Sequence, residues 1–263
     1  MTTAGVTTAA APQAEALPRP AVALDRVTKR YAGNSGVLAL DGISLTARPG
    51  EFVCLVGASG CGKSTLLNIV SGLDRPTSGA VAVDGHAALM FQESALFPWL
   101  SALDNVAMPL RLKGVGRRER EAQARDYLAA VHLADFADRR PHELSGGMRQ
   151  RVAIARTLAT QAPVLLMDEP FGALDAMTRD LLHDELESIW RQRGLTVLFV
   201  THNVREAVRL GDRVVLLSSR PGRIVHEYDV EFDRPRRIEA PAVSALSGEI
   251  TSALRKEVSR HGA

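Results

Sequence analysis

The sequence predicts an α/β protein: a core of alternating strand and helix with two appendages, one of early antiparallel strands and one of helices. Three observations predict it. Residues 57–65, Gly-Ala-Ser-Gly-Cys-Gly-Lys-Ser-Thr, stand between a strand-length apolar run, Glu51 to Val56, and an apolar helical pattern that opens at Leu66 and stops at Gly72. From Glu93 to Thr160 the apolar spacing is helical. After Val164, strand-like and helical patterns alternate. With 263 residues, 46% of them hydrophobic, the chain can bury a sizeable core, as one large domain or a domain with a subdomain. No apolar run approaches the roughly 18 residues that span a bilayer. A formal charge of +2 gives no overall basic field for nucleic acid.

Taken in order, Met1 to Pro20 is rich in Ala, Thr and Pro without a leader pattern, and reads as a disordered tail. Ala21 to Val27 reads as a strand, and Val37 to Ala47 as a second, broken at Asp41-Gly42. Beyond the glycine-rich loop and its helix, Arg75 to Gly79 is a turn, and Ala80 to Val83 a strand ended by Asp84-Gly85. Ala87 to Gln92 is a further short strand. Arg117 to Leu133 is a charged amphipathic helix, and Met148, Val152, Ala155 and Ala159 share a face of another. Val164 to Asp168 is a buried strand. Met177, Leu181, Leu182, Leu186, Ile189 and Trp190 form one face of a long helix that stops near Gly194. Thr196 to Thr201, Arg213 to Leu217 and Ile224 to Tyr228 are strands, and Glu239 to Glu257 shows only a weak helical pattern. The basic residues Arg234, Arg236 and Arg237 read as a solvated run.

The chemistry starts at residues 57–65, which fit G-x-x-x-x-G-K-[ST] through Gly57, Gly62, Lys63 and Ser64. Glycines let the backbone curl so that N–H groups point at anionic oxygens, and the helix after the loop adds its positive end. Lys63 then reaches the β- and γ-phosphates, and the Ser64 hydroxyl helps hold Mg²⁺. A second anion site is Leu144-Ser-Gly-Gly-Met-Arg-Gln-Arg151, a serine and two glycines opening a helix. A third feature is the apolar strand Val164 to Met167 carrying Asp168 and Glu169 out at its C-terminal end, where open α/β sheets bind ligands. Asp168 is expected to hold Mg²⁺ and Glu169 to polarise the attacking water. Cys54 and Cys61 read as reduced thiols, with Cys61 expected to be reactive beside Lys63 and a helix N-terminus.

Phosphate loop, Leu-Ser-Gly-Gly-x-x-Gln and Asp168-Glu169, in this order, resemble the ATP-binding subunits of ABC transporters over roughly residues 21–230. The resemblance implies a P-loop NTPase with a RecA-like core, an antiparallel β subdomain and a helical subdomain over about residues 93–160, followed by an extension over 231–263. It implies ATP and Mg²⁺ as ligands. The nucleotide loop is then Gly57, Ala58, Ser59, Gly60, Cys61, Gly62, Lys63, Ser64 and Thr65. Gln92 resembles the glutamine that contacts Mg²⁺ and the attacking water. His202 resembles the switch histidine at the γ-phosphate, and Tyr31 the aromatic that stacks on adenine. Ser145, Gly146, Gly147 and Asp175 resemble the residues that close on the ATP of a second subunit. The implied assembly is two copies of the chain with two transmembrane permease subunits and, indirectly, a solute-binding protein. It sits peripherally at the cytoplasmic face of the bacterial inner membrane, with no nucleic acid.

Within that family, Phe91 to Leu100, Pro170 to Asp175 and Ser218 to Ile224 resemble the importers of nitrate, taurine and aliphatic sulfonates. One departure is the short link His86-Ala87-Ala88 before Leu89, which is longer in that group. The exposed-looking Leu96, Phe97, Trp99 and Leu100 are a candidate surface for a permease. Two other readings compete. A soluble ABC ATPase of DNA repair or translation calls for a coiled-coil insertion, tandem ATPase domains or basic patches. A P-loop kinase leaves Leu144 to Arg151 without a role.

Overall fold

The computed structural model describes residues 19–32 and 36–261, so the expected tail over 1–20 lies almost wholly outside the described residues. Two sheets organise the chain. In the first, β1 (Val22–Arg30) lies between β2 (Leu38–Ala47) and β4 (Ser78–Val83), all antiparallel. β2 runs through Asp41-Gly42 instead of breaking there: register shifts along its pairing with β1 absorb the irregularity, and Gly42 supplies the left-handed φ of 65°.

The second sheet has six strands in the order β5 (Ala87–Met90), β6 (Val164–Asp168), β7 (Thr196–Val200), β3 (Phe52–Val56), β8 (Arg213–Leu217), β9 (Ile224–Asp229). Its first five are parallel, and β9 closes the edge antiparallel to β8. The central strands β3, β6 and β7 are buried along their whole length, as a parallel sheet covered on both faces requires. One face packs on α1 (Lys63–Val70) and the antiparallel sheet. The other packs on α4 (Gly146–Ala159), α5 (Ala176–Arg193) and α6 (Val204–Leu210). The same apolar cluster continues into the insert, α2 (Ala102–Leu112) and α3 (Arg117–Ala130).

Two sequence expectations change. On α5, Met177 and Leu181 are exposed, and the inner face is Leu182, His183, Leu186, Glu187 and Trp190. Apolar spacing misassigns that face because two inner positions are polar and paired. His183 Nε2 is 2.8 Å from Glu206 Oε1, and Glu187 accepts from Arg234 at 3.2 Å. The weak pattern near the C-terminus forms a 21-residue helix, α7 (Pro241–His261), whose Val243 and Ile250 join the core.

The basic run before α7 is likewise no solvated run. Arg234 bonds Glu187, Asp212 and the Leu210 carbonyl, and its guanidinium lies 4.5 Å from the Trp190 ring centroid. Arg236 is buried and donates to the carbonyls of Val208, Gly211, Val230 and Phe232. Burial, and then Arg234 beside it, draw the Arg236 guanidinium down to about 10, still charged at neutral pH. Of the three arginines only Arg237 is exposed.

Candidate functional site: a phosphate loop facing two acids

The loop between β3 and α1 turns on Gly62, whose φ of 101° lies in the left-handed region. A Cβ there would sit 2.7 Å from Leu40 Cδ2 and 2.8 Å from the Ala39 carbonyl oxygen, so glycine is required by conformation and by space. Lys63 is nearly buried and its ammonium donates to the Gly57 and Ala58 carbonyls at 2.8 and 2.9 Å. The lysine is therefore held along the loop, with its charge among loop backbone groups.

Cys61 departs from expectation. Its thiol is turned inward, so that a Cβ on Gly57 would lie 2.8 Å from Sγ. Burial raises its pKa, and the opposing pull of Lys63, 3.8 Å away, is smaller. Proximity to a lysine favours a thiolate only where water can solvate it, and this one is packed. Cys54 is buried on β3 and its pKa is raised further, again first by burial. Both cysteines are free thiols.

Opposite the loop, β6 delivers the acids. Alternation along a strand sends neighbouring side chains to opposite faces, yet Asp168 and Glu169 line one pocket. The backbone explains it. Glu169 has φ of 46°, left-handed and uncommon for a residue with a Cβ, while its N–H stays bonded to the Val200 carbonyl at 2.9 Å. This local turn ends the strand and brings the second carboxylate round beside the first. Asp168 is nearly buried, which raises its pKa; Glu169 adds to the rise, while a hydrogen bond from Ser64 and the charge of Lys63 oppose it. Glu169 Oε2 lies 3.1 Å from His202 Nδ1, on the loop after β7.

These groups surround a pocket of about 800 Å³. Its walls carry Tyr31, Ser59, Gly60, Gly62, Lys63, Ser64, Thr65, Gln92, Asp168, Glu169 and His202, all expected from the sequence. Tyr31 stands at one end, 41% exposed, with its hydroxyl 3.3 Å from both Thr65 Oγ1 and Asp74 Oδ2. Lys29, paired with Asp74, lies 4.9 Å from the ring centroid. Gln92 leaves β5 toward the pocket, and its carbonyl accepts from Gln150 of α4 at 3.4 Å, so the wall is tied to the helix that opens with Ser145-Gly146-Gly147.

Seven predicted residues do not line this pocket, four of them outside the phosphate loop. Ser145, Gly146 and Gly147 open α4, where the Ser145 hydroxyl accepts from the Met148 N–H at 3.2 Å. Asp175 caps α5 by accepting from Thr178 N at 3.0 Å, a bond that lowers its carboxyl pKa. Gly57, Ala58 and Cys61 belong to the loop without lining the pocket. Three lining residues, Val37, Ala39 and Arg220, are not expected at the site from the sequence; Arg220 and Ala39 are held there by contacts across the chain, with Gly60 and Gly222 respectively.

Comparison with known proteins agrees with this geometry. The family model described as "ABC transporter" matches residues 40–172. A taurine import ATP-binding protein of Burkholderia thailandensis is 49% identical over 218 residues, covering 80% of this chain and 84% of that protein. A nitrate import ATP-binding protein of Synechocystis is 46% identical, covering 86% and 91%. Among solved structures, a dimeric ATP-binding cassette in a post-hydrolysis state with ADP and Pi superposes with a TM-score of 0.75 at 36% identity, over 81% of this chain and all of that one. Phosphate loop, facing acids and these relatives lead to one conclusion: the chain belongs to the ABC transporter family, as an ATP-binding subunit and an ATPase.

Proposed function

We propose that this chain powers the import of a small oxyanion-type solute, in the class of taurine, nitrate or bicarbonate, by hydrolysing ATP between two copies of itself. The solute class is supported by relatives named for taurine, nitrate and bicarbonate transport. The hydrolytic reading rests on one observation above the rest: Glu169, bonded to His202, stands in the same pocket as Lys63 and the Ser64–Asp168 pair.

Mechanistically, Lys63 and the loop N–H groups orient and neutralise the phosphates, which is most of what phosphoryl transfer needs. Glu169 orients the attacking water and takes its proton, and His202 fixes the Glu169 carboxylate through the 3.1 Å contact. Tyr31 supplies the face for adenine. The donor set fits Mg²⁺: a hydroxyl, one carboxylate and the Gln92 amide are hard oxygen donors, few in number, as suits a cation that shares its shell with phosphates and water. When bound, that ion supplies charge neutralisation at the β- and γ-phosphates.

Ser145, Gly146, Gly147 and Asp175 lie off the chain's own pocket, and the compared cassette is a dimer. We assign these four residues to the ATP held by the partner copy. The permease is assigned to the surface of Phe97 and Trp99 together with Phe91, exposed at 36, 67 and 44%; Leu96 and Leu100, expected on that surface, are half-buried, Leu96 against the core. Buried Asn105 fixes that loop by bonding Phe97, Leu100 and Ser101, and Arg156 bonds the carbonyls of Ser94 and Ala95. An exposed aromatic cluster on so rigid a support suits a docking face. No helix among the described residues is long and apolar enough to cross a membrane, in keeping with a peripheral subunit at the cytoplasmic face.

Glu169→Gln tests the mechanism. It keeps size and hydrogen bonding while removing the charge, so the protein should bind ATP, lose turnover by at least about a hundredfold, and elute as a dimer with Mg-ATP. A variant that turns over at the parental rate, or cannot bind ATP, refutes the assignment. Growth of a deletion strain on sulfonates or nitrate as sole sulfur or nitrogen source tests the solute class.

A further inference from the structure

The loop between β8 and β9 holds a cation with no acidic partner among the described residues. Its neighbours in sequence are committed: Arg213 pairs with Glu51 and Glu227, and Arg223 with Asp41. Arg220 has no carboxylate within ion-pair distance among the described residues, and it lines the nucleotide pocket. Its Nε donates to the Gly60 carbonyl at 3.2 Å, which fixes the plane of the guanidinium against the phosphate loop. That contact uses one of five N–H donors; the other four belong to its two terminal nitrogens.

The loop presenting Arg220 is braced on several sides. The Ser218 hydroxyl donates to the Pro221 carbonyl at 2.8 Å and accepts from Arg223 N at 2.9 Å. Gly222 N donates to the Ala39 carbonyl, and Asp41 N to the Gly222 carbonyl, at 2.9 and 3.0 Å. Gly222 packs so closely that a Cβ there would lie 2.2 Å from the Cys61 carbonyl oxygen. From the far side, the Ser219 hydroxyl donates to the Glu257 carbonyl of α7 at 3.2 Å. The loop backbone is thus held in place and the exposed guanidinium lies beside Gly60, where a planar donor without a carboxylate partner suits a phosphate oxygen.

We infer that Arg220 is a second cationic contact to the phosphates of the bound nucleotide, set beside the loop by the β8–β9 turn and steadied through Ser219 by the C-terminal helix. This rests on the pocket being the ATP site, and the test separates the two. Equilibrium binding of a fluorescent ATP analogue is measured in EDTA for the full chain and for Arg220→Gln, Arg220→Lys and Lys63→Ala, with nucleotide-free melting temperatures alongside. Arg220→Gln should bind about tenfold more weakly, as loss of a charge-assisted contact in an open site predicts. Its melting temperature should stay close to the parent's, and Arg220→Lys should recover most of the affinity. Adenosine, which has no phosphate, should compete equally against parent and Arg220→Gln.

Arg220→Gln binding within twofold of the parent overturns the inference. So does a loss of affinity that comes with lower nucleotide-free stability and no rescue by lysine, since Arg220 then only braces the loop. If Lys63→Ala also leaves ATP binding intact, the ATP-site reading itself fails.

Discussion

Arg236→Met is the sharpest test of the C-terminal architecture. The guanidinium donates to four carbonyls, at Val208, Gly211, Val230 and Phe232, which join the end of α6 to the segment leading into α7. Methionine has a comparable length and no donor, so the substitution removes these bonds with little change in packing. Charged hydrogen bonds contribute about 1.5–3 kcal/mol each. Relief of the cost of burying a guanidinium offsets several kcal/mol of that sum. A net loss of about 3 kcal/mol remains, which lowers the melting temperature of a domain this size by roughly 6–12 °C. Urea denaturation of the parent, Arg236→Met and Arg237→Met supplies the comparison. Arg237 is exposed, so its replacement should stay within about 0.5 kcal/mol of the parent. Equal, small effects at both positions would restore the reading of a solvated basic run and refute the buried clamp.

Other outcomes follow from the site. Burial holds the Asp168 carboxyl above its usual range, so its contribution to stability is full below the unfolded pKa and lost as pH rises through the folded one. Asp168→Asn should therefore melt higher than the parent without nucleotide at about pH 7, with the gap closing in acid below about pH 4; fluorimetry across pH checks the sign, and the variant should also bind Mg-ATP more weakly. Both thiols are packed, so maleimide should label neither Cys54 nor Cys61 in the native protein and both in urea, as mass spectrometry would report. Gly222→Ala pushes a methyl at the Cys61 carbonyl, and should cost about 1–3 kcal/mol in stability together with weaker ATP binding in the same assay used for Arg220.

What was legible in the sequence was whatever local chemistry dictates. The phosphate loop, the two acids at the end of β6 and the histidine after β7 each sit where a strand meets a turn; motif and strand pattern find the first two with no knowledge of packing, and the family resemblance supplies His202. The misreadings have a common physical cause. Apolar periodicity assumes that polar residues face water, and at His183, Glu187, Arg234 and Arg236 they face each other or backbone carbonyls instead. The Cys61 expectation failed for the reverse reason: a charge was weighed and the burial that outweighs it was not visible. Arg220 belongs to neither class. It meets Gly60 across 160 residues of sequence, through a parallel sheet whose strand order, β3 beside β8, cannot be read from the chain one segment at a time. α7 in turn meets Ser219, so the end of the chain reaches the phosphate loop in two contacts, from Glu257 to Ser219 and from Arg220 to Gly60. A segment with a weak pattern and no motif is thereby tied to the nucleotide pocket by topology alone.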